Sequence, residues 1–136
     1  MLRLQKLWSG LSVVLLGVSL WIALKPISPD GESWFDWLSF LAASDKVVHA
    51  VAFFGLGLWF GALAGPSHWR RVGLLLLLSY GALIELLQGA MALGRNADLW
   101  DLAADAGGLV AGLLAARWLG RSWLLRVDGW VASRGG

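Results

Sequence analysis

The 136-residue chain is 58% hydrophobic, holds charged residues to 15%, carries a formal net charge of +2 and has no cysteine. That balance is too apolar for an ordinary soluble domain, and the absence of cysteine excludes disulfides and thiolate metal sites. No basic patch with interleaved aromatics points to nucleic acid, so the isoelectric point near 9.5 is assigned to arginines that favour anionic lipid headgroups.

A hydrocarbon core of about 30 Å takes about 20 helical residues to cross, so this length allows four spans and short connections. The first predicted span covers residues 7–24, with no charge between Lys6 and Lys25. A cleaved signal peptide is the competing reading: Arg3 and Lys6 make a basic start, and Gly17 and Ser19 are small. The apolar run continues through Trp21 and Ile22 to Leu24, past any such cleavage point, so a retained anchor is expected. In residues 33–44, Trp34, Trp37, Leu38 and Leu41 share a helical face opposite Ser33, Asp36 and Ser39. That pattern fits a short interfacial helix or a loop collapsed onto the bundle. The second span runs over 46–64 and stops at Gly65-Pro66, because proline cannot continue a helix without losing a donor. Arg70 and Arg71 are expected in a tight turn before the third span, 72–93, and the fourth covers 99–119. Over 121–132, Trp123, Val127, Trp130 and Val131 form a stripe beside Arg121, Arg126 and Arg134, which suits a surface helix at the inner leaflet. The expected fold is therefore all-α, a single four-helix transmembrane domain.

Charge gives the expected orientation. Asp30, Glu32, Asp36, Asp45, Glu85, Asp98, Asp101 and Asp105 fall on one side, with only Lys25, Lys46 and Arg95 as bases. The opposite side receives Arg3, Lys6, Arg70, Arg71, Arg117, Arg121, Arg126 and Arg134, with the single acid Asp128. Excess Lys and Arg mark the cytoplasmic face, so both termini are expected inside. The tryptophans agree, with Trp8, Trp59, Trp69, Trp118, Trp123 and Trp130 toward the inner surface and Trp21, Trp34, Trp37 and Trp100 toward the outer one.

Groups able to do chemistry gather at the outer ends of spans two, three and four. Asp45 and His49 lie one helical turn apart, as do Glu85 and Gln88; Arg95 follows in the loop, and Asp98, Asp101 and Asp105 begin span four. The steps of three and four continue through Gly108 and Gly112, so the stripe is acidic in its outer half and lacks side chains in its inner half. Small residues at this spacing let helices approach closely, and Gly57, Gly61, Gly65, Gly81 and Gly89 can serve the same purpose. A carboxylate at membrane depth costs about 2.5–3.5 kcal/mol and almost always faces the bundle interior or a wet cavity. Glu85, His49, Asp101, Asp105 and Arg95 are thus expected to converge on an outward-facing pocket, with Lys46 beside them. Structural roles compete at each position: helix capping for Asp45 and Asp98, snorkelling for Lys46, interhelical hydrogen bonding for Gln88 and His49, and an ion pair for Glu85 with Arg95. One histidine among carboxylates, with no second histidine, gives no metal signature, and neither a metal nor a cofactor is expected.

The segment DKVVHAVAFFGLG, 45–57, resembles the Asp-Lys-x-x-His opening and following aromatic of the VanZ-like family of small bacterial membrane proteins. The segment ELLQGAMALGRNADLWDLAADAGGLVAG, 85–112, is similar to that family's Glu-x-x-Gln, Arg, Asp and Asn-x-x-Gly-x-x-x-Gly run, matched by Glu85, Gln88, Arg95, Asp101, Gly108 and Gly112. Two departures stand out: Asp105 occupies the usual Asn position, and Phe53 stands where Tyr is common. The resemblance implies a protein of the bacterial plasma membrane. It also implies a link to the envelope, since the family's namesake is associated with resistance to the lipoglycopeptide teicoplanin.

Three classes of function follow. In the first, an outer pocket recognises the polar headgroup of a membrane lipid, lipid-linked glycan or lipidated antibiotic. Arg95 and Lys46 would contact phosphate or carboxylate, and Asp101, Asp105, Gln88 and His49 would contact hydroxyls and amides. In the second, the protein is an enzyme on such a headgroup, with Glu85 or Asp101 as general base and His49 as acid or base. In the third it is a transporter, which four spans could form only as an oligomer. The first is preferred, because no nucleophile motif or phosphate-cradling glycine loop is present.

Overall fold

A computed structural model describes residues 3–24, 45–64, 67–91, 98–119 and 122–134, together with the backbone but not the side chains of Asp45 and Ser67. These residues form α1 (Gln5–Ala23), α2 (Asp45–Leu63), α3 (Ser67–Met91), α4 (Leu99–Leu119) and α5 (Ser122–Arg134), with no strand among them. The first four are long and apolar enough to cross a membrane; at 1.5 Å per residue the 19 residues of α1 span about 28 Å. Val13, Leu75, Leu76, Leu86, Leu99 and Trp118 are more than 60% exposed. Outward-facing apolar side chains of this kind need lipid around them. The stretch 33–44, expected as an interfacial helix, lies outside the described residues. α3 starts at Ser67, so Arg70 and Arg71 sit on its first turns rather than in the turn before it.

The helices alternate in direction. α2 and α4 run parallel, because Ala50 meets Gly108 and, one turn on, Phe54 meets Gly112. α1 and α3 run parallel to each other, with Leu16 beside Tyr80 and Ala23 beside Gln88. The α2–α4 contact is the most extensive and is backbone against backbone. A Cβ on Gly57 would meet the Leu109 carbonyl, one on Gly108 the Ala50 carbonyl, and one on Gly112 the Phe54 carbonyl. Gly61 packs likewise, its added carbon falling 2.7 Å from Ala116 Cβ. The glycine stripe expected from spacing is therefore where the two helices touch, although Gly89 is exposed and Gly65 lies outside the described residues. Phe53, Leu56, Leu77 and Leu109 form the apolar centre beside this contact.

α1 joins the bundle through polar side chains rather than close backbone. Tyr80 Oη donates to the Leu16 carbonyl at 2.8 Å and lies 2.8 Å from Ser19 Oγ. Trp59 Nε1 donates to Ser12 Oγ at 3.0 Å, and the Trp8 and Trp59 rings pack at 5.8 Å. At the end of α1, where carbonyls have no intrahelical partner, Gln88 Nε2 donates to the Ala23 carbonyl at 2.9 Å.

α5 folds back on the same end of the bundle as the start of α1. Leu124 is fully buried against Trp8 and Ala62, while Val127 and Trp130 face outward. Asp128, 2% exposed, accepts hydrogen bonds from the Arg3 and Leu4 backbone amides at 2.7 and 3.0 Å and from Trp8 Nε1 at 2.7 Å. It thus supplies acceptors for amides at the N-terminus of α1, where the helix itself supplies none. Burial pushes its carboxyl up, but the bonds from Trp8, Arg3 and Leu4 and the charge of Arg3 outweigh that and hold it below 3.8.

Candidate functional site

The parallel α2–α4 contact brings the starts of both helices to one end of the bundle, where α3 finishes. At 1.5 Å per residue, His49 lies about 6 Å from the start of α2, Asp105 about 9 Å from the start of α4, and Glu85 about 9 Å from the end of α3. The polar residues there form two layers.

The upper layer is half-exposed at Lys46 and Asp98 and buried at Asp101. Lys46 Nζ lies 2.7 Å from Asp98 Oδ2 and 3.0 Å from Asp101 Oδ1, with side-chain exposures of 47% for Lys46 and 38% for Asp98 but 8% for Asp101. Asp98 also caps α4: its Oδ1 accepts from the Trp100 amide at 2.9 Å, and its carbonyl from the Asp101 amide at 3.0 Å. The hydrogen bond from Lys46, reinforced by that from the Trp100 amide, holds the Asp98 carboxyl below its ordinary value of 3.8. Two of the three Lys46 donors are therefore taken by acids of α4.

The lower layer is buried. His49, Glu85 and Asp105 are 8%, 6% and 0% exposed. His49 Nδ1 lies 2.9 Å from Asp105 Oδ1 and 3.8 Å from Glu85 Oε1. Glu85 Oε2 accepts from the Asp98 backbone amide at 3.1 Å, which ties the end of α3 to the start of α4. Glu85 Oε1 and Asp105 Oδ2 are buried with no hydrogen-bond partner among the described residues. Asp105 has room because Gly81 faces it: a Cβ there would fall 2.9 Å from Oδ2.

Of the residues singled out from sequence, Lys46, His49, Glu85, Asp98, Asp101 and Asp105 are brought together. Gln88 is buried and engaged with the end of α1, in keeping with the interhelical hydrogen bond weighed for it. Asp45 opens α2, but its side chain, like the whole of Arg95, lies outside the described residues. A shallow groove along Arg3, Leu4, Gln5, Lys6, Leu7 and Ser9 lies at the opposite end of the bundle and contains none of the cluster. Sequence reasoning missed the Asp128 latch; the visible signal was one acid among the bases of that end, which in an apolar setting calls for buried donors.

Comparison of the chain with protein-family models, with curated proteins and with solved structures finds no match.

Proposed function

We propose that this chain is a VanZ-like multi-pass protein of the bacterial plasma membrane, with both termini in the cytoplasm, whose polar end recognises the headgroup of a lipid-linked glycan or lipidated antibiotic. The observation that carries this reading is the half-exposed pair of Lys46 and Asp98, joined to the buried Asp101, at the mouth of a bundle whose helices are long enough to cross a membrane. Charged groups at the ends of two packed spans sit where a lipid headgroup lies, while the tail can run along the exposed Val13, Leu75 and Leu76 faces. The layer is rich in acceptors, which suits hydroxyl, amide and amine groups better than a bare phosphate. The distribution of Lys and Arg supports the orientation.

Thermal shift in nanodiscs tests it, comparing teicoplanin and a lipid-linked glycan with lipid of the same tail and no headgroup extension. Recognition raises the melting temperature of wild type and not of Asp101→Asn; equal shifts in the two proteins, or none in either, count against it.

A second reading, an enzyme acting on such a headgroup, draws on one observation: His49 Nδ1 is held by Asp105, as a general base is oriented by its partner. His49→Gln separates the readings. A binder keeps a weakened ligand and shows no turnover in either form, whereas an enzyme loses product formation while still retaining its ligand.

A further inference from the structure

We propose that His49, Glu85 and Asp105 hold a divalent transition-metal ion of the zinc type, buried beneath the half-exposed layer. One ligand atom from each of the three residues lies within 4.8 Å of the others, and all three residues are buried. Two ligands at about 2.1 Å from one ion stand about 3.4 Å apart in a tetrahedron and about 3.0 Å apart in an octahedron. The observed separations from His49 Nδ1, 2.9 Å to Asp105 Oδ1 and 3.8 Å to Glu85 Oε1, bracket those edges. The set as it stands lies within 4.8 Å, and rotation of the two carboxylates would draw it to those edges.

The independent observation is the pair of unpartnered oxygens. Glu85 Oε1 and Asp105 Oδ2 are buried acceptors with no donor among the described residues, in residues at least nine-tenths buried, and Glu85 Oε1 faces the imidazole. Leaving a carboxylate lone pair unmet costs more than a neutral hydrogen bond gains, and the cost is higher in an apolar bundle than at a surface. A single imidazole proton answers one of the two carboxylates. A dication with neutral imidazole and two carboxylates makes the group electroneutral, which removes the penalty for burying net charge among helices.

The surroundings behave as supports of such a site. The Asp98 amide fixes the other oxygen of Glu85, and Gly81 leaves the space in which the Asp105 carboxylate can turn. One imidazole with two carboxylates favours zinc, manganese or iron over magnesium and calcium, which take oxygen sets and, for magnesium, retain water. Three protein ligands leave one position of a four-coordinate ion open. The proposal does not depend on headgroup recognition, and its test uses no lipid ligand.

The test is metal loading of the full chain in detergent, purified without a histidine tag and stripped with a chelator. Zn²⁺ is titrated by calorimetry, and Co²⁺ is added separately and followed by visible absorption. Wild type takes up about one ion per chain and gives the ligand-field bands of bound Co²⁺. His49→Ala and Asp105→Asn weaken Zn²⁺ at least tenfold. Glu85→Gln, which can still accept from the Asp98 amide, does the same while its helix content and melting stay near wild type. Asp128→Asn, at the opposite end, binds as wild type does. A wild-type chain that shows no Co²⁺ bands and no Zn²⁺ uptake overturns the proposal, as does a Glu85→Gln variant that binds with unchanged affinity.

Discussion

Replacing Gly108 by alanine probes the contact that carries the site. The added carbon would fall on the Ala50 carbonyl oxygen, and 2.8 and 2.9 Å from Ala50 C and Cα, all of them backbone atoms with no rotamer to change. An ordinary carbon contact needs about 3.5 Å, so α2 and α4 must part locally by about 1 Å. His49 is adjacent to Ala50, and Asp105 is one turn before Gly108. The same movement stretches their 2.9 Å bond to about 3.9 Å, beyond hydrogen-bonding range. Overpacking costs about 1–3 kcal/mol, and loss of a hydrogen bond to a charged group about 1.5–3 kcal/mol. Alanine's better helix propensity returns about 1 kcal/mol, so the net loss is about 1.5–5 kcal/mol. Gly107, the preceding residue, has nothing within 4 Å of an added Cβ, so Gly107→Ala is neutral or stabilising by up to about 1 kcal/mol. Unfolding of both variants in mixed micelles of increasing SDS content, extrapolated linearly, measures the difference. Equal stability of the two, or a Gly108→Ala protein as stable as wild type, would refute the close parallel packing of α2 and α4.

Three further outcomes are expected. The Asp128 carboxyl is depressed in the folded state, so its contribution is complete above its ordinary 3.8 and lost as pH falls through the lower folded value. Hydrogen exchange at the Arg3 and Leu4 amides and the Trp8 indole therefore accelerates below about pH 4, and Asp128→Ala exchanges rapidly at all pH values; slow exchange in that variant removes the latch. Tyr80→Phe deletes the hydroxyl that bonds α1 to α3 and lowers stability by about 1 kcal/mol in the same SDS titration. No loss would show that the Tyr80 hydroxyl does not help to hold α1. Because the chain has no cysteine, Leu99→Cys and Arg134→Cys, both at exposed positions, report sidedness cleanly. A membrane-impermeant maleimide labels the first and not the second in intact cells, and the reverse pattern inverts the proposed orientation.

The four spans were legible because uninterrupted apolar runs leave little choice, and α4 begins and ends at the expected 99 and 119. The stripe from Asp98 through Gly112 was legible for the same kind of reason: a spacing of three and four can only be one face of a helix. What spacing could not show is which helix that face meets. The register of Ala50 on Gly108 pairs Lys46 with Asp98 and Asp101 and leaves His49 for Asp105. From sequence, Lys46 was equally available to the buried acids. Gln88 and Asp128 were harder still, because each meets a backbone group far along the chain, the Ala23 carbonyl and the Arg3 and Leu4 amides. Backbone partners leave no mark on residue type. The convergence of His49, Glu85 and Asp105 followed from the cost of polar groups at membrane depth, whereas their separation into a buried layer beneath Lys46 and Asp98 did not.

Native mass spectrometry of the protein extracted with its own lipids tests the claim of headgroup recognition most directly, comparing wild type with Lys46→Ala, Asp101→Asn and, as a control at the other end, Asp128→Asn. Headgroup recognition predicts a defined extra mass retained by wild type and Asp128→Asn and lost from the other two. Absence of any retained species, or equal retention in all four proteins, would contradict it and leave the polar end as a device that holds helices together.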